Sequence, residues 1–346
     1  MIVNKLKKPL LIAEISSNHN GKIDNAIKLI YLAKKYGADA VKLQTFTPET
    51  MTLNSKKKYF KIRSGLWKGH TLWDLYTKAQ TPLSWHNKLF SIAKKINIKI
   101  FSTPFDESAV DFLETLRCPF YKISSFEMCD ESLIKKVART KKPIIISTGL
   151  SDLKEIERSY KIAKNYGAKS VSLLYCVSNY PAEVEDFNLN NISILKKKFN
   201  CPVGFSDHSR DSEIAQIAIS KGAQIIEKHI ALENQKTGFD INFSLRGKEI
   251  KLFREKIDKA YLLTKKNTFF RNEAELKNKK FRRSIFSTMD IKKGEKFSKK
   301  NIRRVRPGNG ISPRFYQLIL NKKSPINISK NEPLKEIIIK KLNLKK

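Results

Sequence analysis

The chain has 346 residues, 40% of them hydrophobic, with 69 Lys and Arg against 33 Asp and Glu for a formal net charge of +36. That length holds one barrel-sized domain plus a small one, and no apolar run reaches the length of a membrane span, which excludes a helical membrane anchor. The basic residues are spread over the whole chain among frequent Ile and Asn, a pattern of solvated helix faces that favours solubility and anion steering over a specific nucleic-acid partner.

The start, MIVNKLKKPLLIAEI, runs straight into a strand-like stretch without the small-residue cleavage site of a secretory signal, which reads as a cytoplasmic protein. Cys118, Cys129, Cys176 and Cys201 show no CxxC spacing, and three of them lie in or beside apolar runs, so reduced structural thiols are expected.

The first 235 residues repeat one pattern: a short β-branched run ends in polar residues, a loop follows, and an amphipathic helix returns. The runs are LLIAEI, AVKLQTF, KIFSTPF, FYKISS, PIIISTG, VSLLYCVS, PVGFSDH and QIIEKHIAL. Three returning helices end alike, in YGADAV from Tyr36, YGAKSV from Tyr166 and KGAQII from Lys221, where Gly suits a left-handed C-cap just before the next strand. Eight strands in strict alternation with helices predict an α/β protein, a (β/α)8 TIM barrel over residues 1–266. A doubly wound open sheet is the alternative, but no GxGxxG follows the first strand. Residues 267–281 are polar and charged and read as a linker. Residues 282–346 open with RRSIFSTMDIKKGEKFSKKNIRRVRPGNGISP and read as a small lobe of short strands and turns.

A barrel gathers the C-terminal ends of its strands at one mouth. Those ends supply Glu14; Lys42 and Gln44; Ser102 and Thr103; Lys122, Ser124 and Ser125, with Glu127 just beyond; Ser147 and Thr148; Ser178; Ser206, Asp207 and His208; and Glu227, Lys228 and His229. Three lysines among many hydroxyls suit a phosphate and a carboxylate, because charge-assisted hydrogen bonds to anions are the strong ones. His208 and His229 are 21 residues apart, yet parallel strands joined by one helix bring their ends side by side. Read singly, each is a satisfied core residue; read as a pair at matching strand ends, they suit a divalent metal.

EISSNHNG from Glu14, KLQTF from Lys42, FSTPF from Phe101, KISSFE from Lys122, STGL from Ser147, YCVSNYPA from Tyr175, GFSDHS from Gly204 and EKHIAL from Glu227 resemble, in order and over nearly the whole chain, the sialic acid synthase family. The resemblance implies condensation of phosphoenolpyruvate with an N-acylated hexosamine to a nonulosonic acid. It implies Lys42, Thr103, Lys122, Ser125, Ser147, Ser178, Ser206 and Lys228 on phosphoenolpyruvate, although Ser178 departs from the Asn of some members. It further implies Glu127 as catalytic base, Glu14 and Asp240 as supporting carboxylates, and Gln44, Tyr180, Asp240 and Arg306 on the sugar. His208 and His229 would hold the divalent metal, Mn2+ first, with Mg2+ or Co2+ as alternatives. RSGLWKGHTLWDLYTKAQTP from Arg63 and GFDINFSL from Gly238 are similar to the forms found in the pseudaminic acid branch, which implies a 2,4-diacetamido-2,4,6-trideoxyhexose as acceptor; N-acetylneuraminate and legionaminate synthesis are the alternatives. Trp67, Trp73 and Tyr76 of that loop, with Trp85 close after it, suit either an apolar wall or plain packing, and His70 in the loop and His86 beside it are expected to be solvated or capping. The small lobe resembles the antifreeze-like SAF domain of the same family, which implies a domain-swapped homodimer with Arg306 reaching the partner's sugar. From other classes, a Schiff-base aldolase using Lys122 or Lys228 and an anion- or nucleic-acid-binding protein remain as competing readings.

Overall fold

A computed structural model describes residues 8–65, 67–266 and 268–344. The chain divides into two compact units, Met1–Lys266 and Asn267–Lys346. In the first, eight parallel strands alternate with helices: β1 Leu10–Glu14, β2 Ala40–Thr45, β3 Lys99–Pro104, β4 Tyr121–Ile123, β5 Ile144–Ser147, β6 Val171–Cys176, β7 Val203–Asp207 and β8 Ile225–Ala231. Each pairs with the next, and β1 pairs with β8 from Leu10 opposite Ile225 to Glu14 opposite His229, which closes the barrel. A short strand, β9 Leu245–Arg246, adds to the end of β8.

The strands are near-continuous apolar runs because both faces of a parallel barrel strand are covered, one by the interior and one by helices. The helices read as amphipathic for the complementary reason. Ile23–Lys35 buries Ala26, Leu29, Ile30 and Ala33 at helical spacing, and Leu153–Asn165 starts on a capping box in which Asp152 accepts from Glu155 N–H and Glu155 from Asp152 N–H. The three repeated helix ends share one physical cause: Gly37, Gly167 and Gly222 have φ of 87°, 105° and 102°, a region closed to most side chains. The chain then turns straight into β2, β6 and β8, which fixes where those strands end and what they present.

The second unit pairs β10 Ser284–Ser287 with β11 Ile302–Val305, antiparallel, over a core that includes Ile285, Phe297, Ile302, Leu334 and Ile338. The stretch read as a linker contains short helical structure. Asn272 caps a helix at Glu273–Lys277 by accepting from Glu275 N–H, and a 3-10 turn follows at Asn278–Phe281. The polar composition had signalled solvent exposure, which a short surface helix satisfies as well as a linker does. Among the described residues, no helix is long and apolar enough to cross a membrane.

Candidate active site

The strand ends surround a cavity of about 390 Å3. Its floor is an ionic cluster. Lys42 Nζ lies 2.6 Å from Glu14 Oε2 and 3.2 Å from Glu227 Oε1, and Lys122 Nζ lies 4.0 Å from the same Glu227 oxygen. Ser206 Oγ donates to Glu227 Oε1 at 3.0 Å, and Lys42 Nζ donates to Thr103 Oγ1 at 3.4 Å. All six residues are buried, so each charge must be matched by a neighbour. Burial pushes the Glu14 carboxyl up to about 7, with Lys42 pulling against it and Glu227 adding to it. Burial also opposes charge on Glu227, but Lys122 and Lys42 outweigh it and hold that carboxyl at about 2. Glu14 and Glu227 likewise outweigh burial at Lys42 and raise it, whereas burial prevails at Lys122 and lowers it.

Beside the floor lies a cradle of small polar groups. Gly149 N–H donates to Ser125 Oγ at 3.2 Å, and Ser125 Oγ is 3.0 Å from Cys176 Sγ. A Cβ at Gly149 would lie 2.3 Å from Ser178 Oγ and 2.8 Å from Ser125 Oγ, so only glycine lets these hydroxyls converge. Ser147 also lines the cavity. Ser124 Oγ donates to Glu127, whose half-buried carboxyl is pushed up to about 7 by burial.

His208 and His229 face one another with ring centroids 5.5 Å apart. Burial holds His208 at about 4, and burial and the neighbouring His208 hold His229 well below the usual range, so both rings are neutral at pH 7. His208 Nδ1 is 3.0 Å from the Val177 carbonyl, which fixes the proton on that nitrogen and leaves Nε2 as a lone pair. His229 Nδ1 is buried, makes no hydrogen bond among the described residues, and stands 3.8 Å from Asp240 Oδ2. Two neutral imidazoles with free lone pairs fit a divalent cation whose other positions are left to water or substrate. Among the described residues no group of three or more His, Cys, Asp or Glu side chains forms a closed metal cage. Asp240 accepts from Ser16 Oγ at 2.5 Å and Ser17 Oγ at 3.1 Å, Gln44 Nε2 donates to Ser16 Oγ at 3.1 Å, and the Tyr180 ring packs 4.6 Å from His208.

The opposite wall is apolar. Phe46, Met51, Leu72, Leu75 and Tyr76 from the connection after β2, with Phe105 from the loop after β3, line it. Phe46 holds Tyr76 and Phe105 edge-on at 5.7 and 5.2 Å. Trp67 lines the rim, donating Nε1 to the Phe239 carbonyl at 3.3 Å and packing 5.7 Å from Tyr180. Trp85 instead packs on His19 at 5.3 Å, outside the cavity.

Lys228 requires a correction. Strand periodicity of two puts Glu227 and His229 on the inner face and Lys228 on the outer one, where its Nζ meets Asp207 Oδ2 at 3.0 Å and the Ser209 carbonyl at 2.5 Å. It does not line the cavity. Thr103, Ser178 and Glu14 do not line it either, but Thr103 and Glu14 touch Lys42 and Ser178 converges with Ser125 at Gly149, whereas Lys228 is bound to Asp207 and Ser209 away from the cavity and is withdrawn as a substrate ligand. Glu227, unassigned in the sequence reading, takes the inner position; its spacing of two from His229 was the available signal. His86, expected to be solvated or capping, is fully buried between Thr45 Oγ1 at 2.9 Å and the Pro82 carbonyl at 3.2 Å. Cys176, expected to be purely structural, lines the cavity, and Cys129 is exposed. Arg306 belongs to the second unit, where it lines a groove with Arg283, Lys299, Arg303 and Arg304.

The sequence matches the NeuB family over residues 29–268 and the SAF domain over residues 282–336. The chain belongs to the NeuB family. A pseudaminic acid synthase of Campylobacter jejuni is 41% identical over 96% of this chain and 97% of its own. An N,N'-diacetyllegionaminic acid synthase of the same species is 36% identical over 96% of this chain and all of its own. The crystal structure of an N-acetylneuraminic acid synthetase from Leptospira borgpetersenii, in complex with citrate, superposes with a TM-score of 0.71 at 28% identity, covering 79% of this chain and 90% of that one. This NeuB-family protein is a phosphoenolpyruvate-dependent condensing synthase, an enzyme of transferase type, and its mouth has the cations and hydroxyls that such a substrate requires.

Proposed function

We propose that the chain is a pseudaminic acid synthase, joining phosphoenolpyruvate to a 2,4-diacetamido-2,4,6-trideoxyhexose of altrose type with release of phosphate. One observation carries the choice of acceptor: the wall opposite the ionic floor is Phe46, Met51, Leu72, Leu75, Tyr76 and Phe105, apolar where a fully hydroxylated sugar would need partners and a deoxy carbon would not. The higher identity to a pseudaminic acid synthase than to a legionaminic acid synthase, 41% against 36%, supports the same choice.

In this reading Lys42, Lys122 and Thr103 take the carboxylate end of phosphoenolpyruvate, and Ser125, Ser147, Ser178 and Ser206 its phosphate. Asp240, Gln44 and Tyr180 orient the open-chain sugar so that its aldehyde carbon faces carbon 3 of phosphoenolpyruvate. The carbon–carbon bond forms there as the aldehyde π bond opens and its oxygen takes a proton. Water adds to carbon 2 and gives up a proton, and the carbon–oxygen bond to phosphate breaks as the added hydroxyl loses its second proton and carbon 2 becomes a ketone. Glu127, with a carboxyl near 7, is suited to take the proton of that water, because a base works best with a pKa near the operating pH; Glu14, near 7 on the floor, is the supporting acid. His208 and His229 would hold a divalent cation, manganese in the first instance, which when bound supplies Lewis acidity toward a carbonyl oxygen. Arg306 would grip the sugar of a partner subunit in a domain-swapped dimer, since an Arg fork is a fixed, permanently charged donor.

The test is product analysis by mass spectrometry with phosphoenolpyruvate and a panel of N-acetylated hexosamines. Catalytic efficiency for N-acetylmannosamine equal to or above that for the diacetamido trideoxy sugar overturns the acceptor assignment. For the dimer, an Arg306→Ala chain co-refolded with a His208→Ala chain should regain up to about a quarter of normal activity, because half of randomly paired dimers carry one intact site.

A further inference from the structure

We propose that Glu227 is a positioning residue, the fixed counter-ion that keeps Lys42 and Lys122 charged and aimed at phosphoenolpyruvate before any substrate arrives. The inference rests on the assignment of those two lysines to phosphoenolpyruvate. Glu227 Oε1 gathers three groups from three strands: Lys42 at 3.2 Å from β2, Lys122 at 4.0 Å from β4 and Ser206 Oγ at 3.0 Å from β7. Each of the three is a substrate ligand in the reading above. Its other oxygen, Oε2, is buried and makes no hydrogen bond among the described residues, so the bonding of this carboxylate goes to aiming those three side chains.

Charge balance explains why a site built for a highly anionic substrate should hold a carboxylate at its floor. Two ammonium groups converging on one buried point repel each other and are desolvated, and without an anion between them they would lose a proton or swing apart. Glu14 cannot do this alone, because among the described residues it lies within 4 Å of the Lys42 ammonium only and acts on Lys122 more weakly than Glu227 does. Lys122 also donates to the Ile123 carbonyl at 3.2 Å, a neutral partner that fixes its direction without matching its charge. Among the described residues, Glu227 is thus the carboxylate within 4 Å of both lysines. The other titratable groups near this cluster are Glu127 and Cys176, which act on Lys122, and His208 and His229, all four lining the cavity.

Calorimetric binding of phosphoenolpyruvate to the metal-free full-length protein tests this, with steady-state kinetics of the metal-loaded protein beside it. Glu227→Gln should weaken phosphoenolpyruvate binding about 30- to 100-fold, the scale of removing one partner from a buried charged network. The Michaelis constant for phosphoenolpyruvate should rise by a similar factor, with that for the sugar changed less than about threefold. Glu227→Asp, which keeps the charge, should recover most of the affinity. Combining Glu227→Gln with Lys122→Met should bind no worse than Lys122→Met alone, because the ammonium left unmatched is gone. Wild-type affinity in Glu227→Gln, or strictly additive losses in the double variant, overturns the proposal. So does loss of divalent-metal binding in Glu227→Gln with phosphoenolpyruvate affinity intact, which would make Glu227 a support of His229. Should Glu227→Gln fail to fold, the double variant and Glu227→Asp decide: a further tenfold loss in the double variant relative to Lys122→Met, about 1.4 kcal/mol, sinks the idea. Lys122→Met binding phosphoenolpyruvate normally would instead overturn the lysine assignment itself, so the two failures are distinguishable.

Discussion

The floor and the wall of the one cavity are built by opposite means. The floor takes one or two side chains from each of five strands, Glu14 from β1, Lys42 from β2, Lys122 from β4, Ser206 from β7, and Glu227 and His229 from β8, each held by parallel pairing to its neighbours. The wall takes most of its side chains from the single connection after β2, with Phe46, Met51, Leu72, Leu75 and Tyr76 packed over the mouth. Charges on the floor are matched within about 4 Å and shielded from water, where losing one partner is costly. The wall is held by edge-to-face ring contacts, each worth about 0.5–1.5 kcal/mol beyond area burial. In the proposed reading the floor carries the chemistry and the wall the selectivity, so substitutions on the two should differ in kind as well as in size.

The largest effect is expected at the histidine pair beside the floor. His208→Ala or His229→Ala should abolish divalent-metal binding, read by elemental mass spectrometry, and lower turnover by at least about 10³-fold, the rate equivalent of several kcal/mol of lost charge stabilisation. The circular dichroism spectrum should be unchanged, since both rings sit at the mouth and outside the helix-packed core. Near-normal turnover of His208→Ala in the presence of chelator would remove metal from the reading. Next in size is Glu127→Gln, expected to lower kcat about 10²- to 10⁴-fold as general-base losses do. With its carboxyl near 7, Glu127 is protonated and inactive as a base below that pH and ionised above it. Turnover of the unmodified protein should accordingly rise with pH through about 7, and that limb should vanish in Glu127→Gln while persisting in Glu14→Gln.

The same contrast explains what could be read in advance. Eight strand ends recur once per strand–helix unit, so Lys42, Lys122, His208 and His229 were legible as a converging set from their places at those ends. The strand period of two also carried more than was drawn from it: Glu227 and His229 share a face that Lys228 does not. The wall was less legible because a loop's path depends on tertiary contacts. Nothing in RSGLWKGHTLWDLYTKAQTP distinguishes Trp67, at the rim, from Trp85 just beyond it, packed on His19. Met51 carried no signal beyond apolarity, and Phe46 and Phe105 stood only as the last residues of the KLQTF and FSTPF motifs, with no place in the wall assigned.

Wall substitutions should move selectivity more than rate. Tyr76→Ala opens space beside Phe46 and should lower the preference for the diacetamido trideoxy sugar over N-acetylmannosamine by about 10- to 100-fold, since methylene-sized differences are worth about 1–3 kcal/mol. The measurement is the ratio of the two kcat/KM values. A uniform fall of both efficiencies with the ratio preserved would mean that the wall only packs the loop.

The smallest effect on turnover is expected at Lys228, which by sequence stood among the floor lysines and by structure lies behind them. Its ammonium is buried against Asp207 and the Ser209 carbonyl, and Asp207 Oδ1 in turn accepts from Ser209 N–H at 2.8 Å and Ser209 Oγ at 2.6 Å. That network pins the turn immediately after His208, so Lys228 acts on the loop and not on the substrate. Lys228→Met keeps the length and apolar stem of the side chain but strands the Asp207 carboxylate, and stability should fall by about 3–5 kcal/mol, the cost of leaving one buried charge without its partner. Below the unfolding transition, the Michaelis constant for phosphoenolpyruvate should stay within about twofold of normal, because uniform binding contacts to substrate are untouched. Pairing Lys228→Met with Asp207→Asn should recover much of the lost stability, since the stranded charge is removed while the amide oxygen still accepts from Ser209. A tenfold rise in that Michaelis constant with stability unchanged would return Lys228 to the floor and reverse the assignment of the two faces of β8.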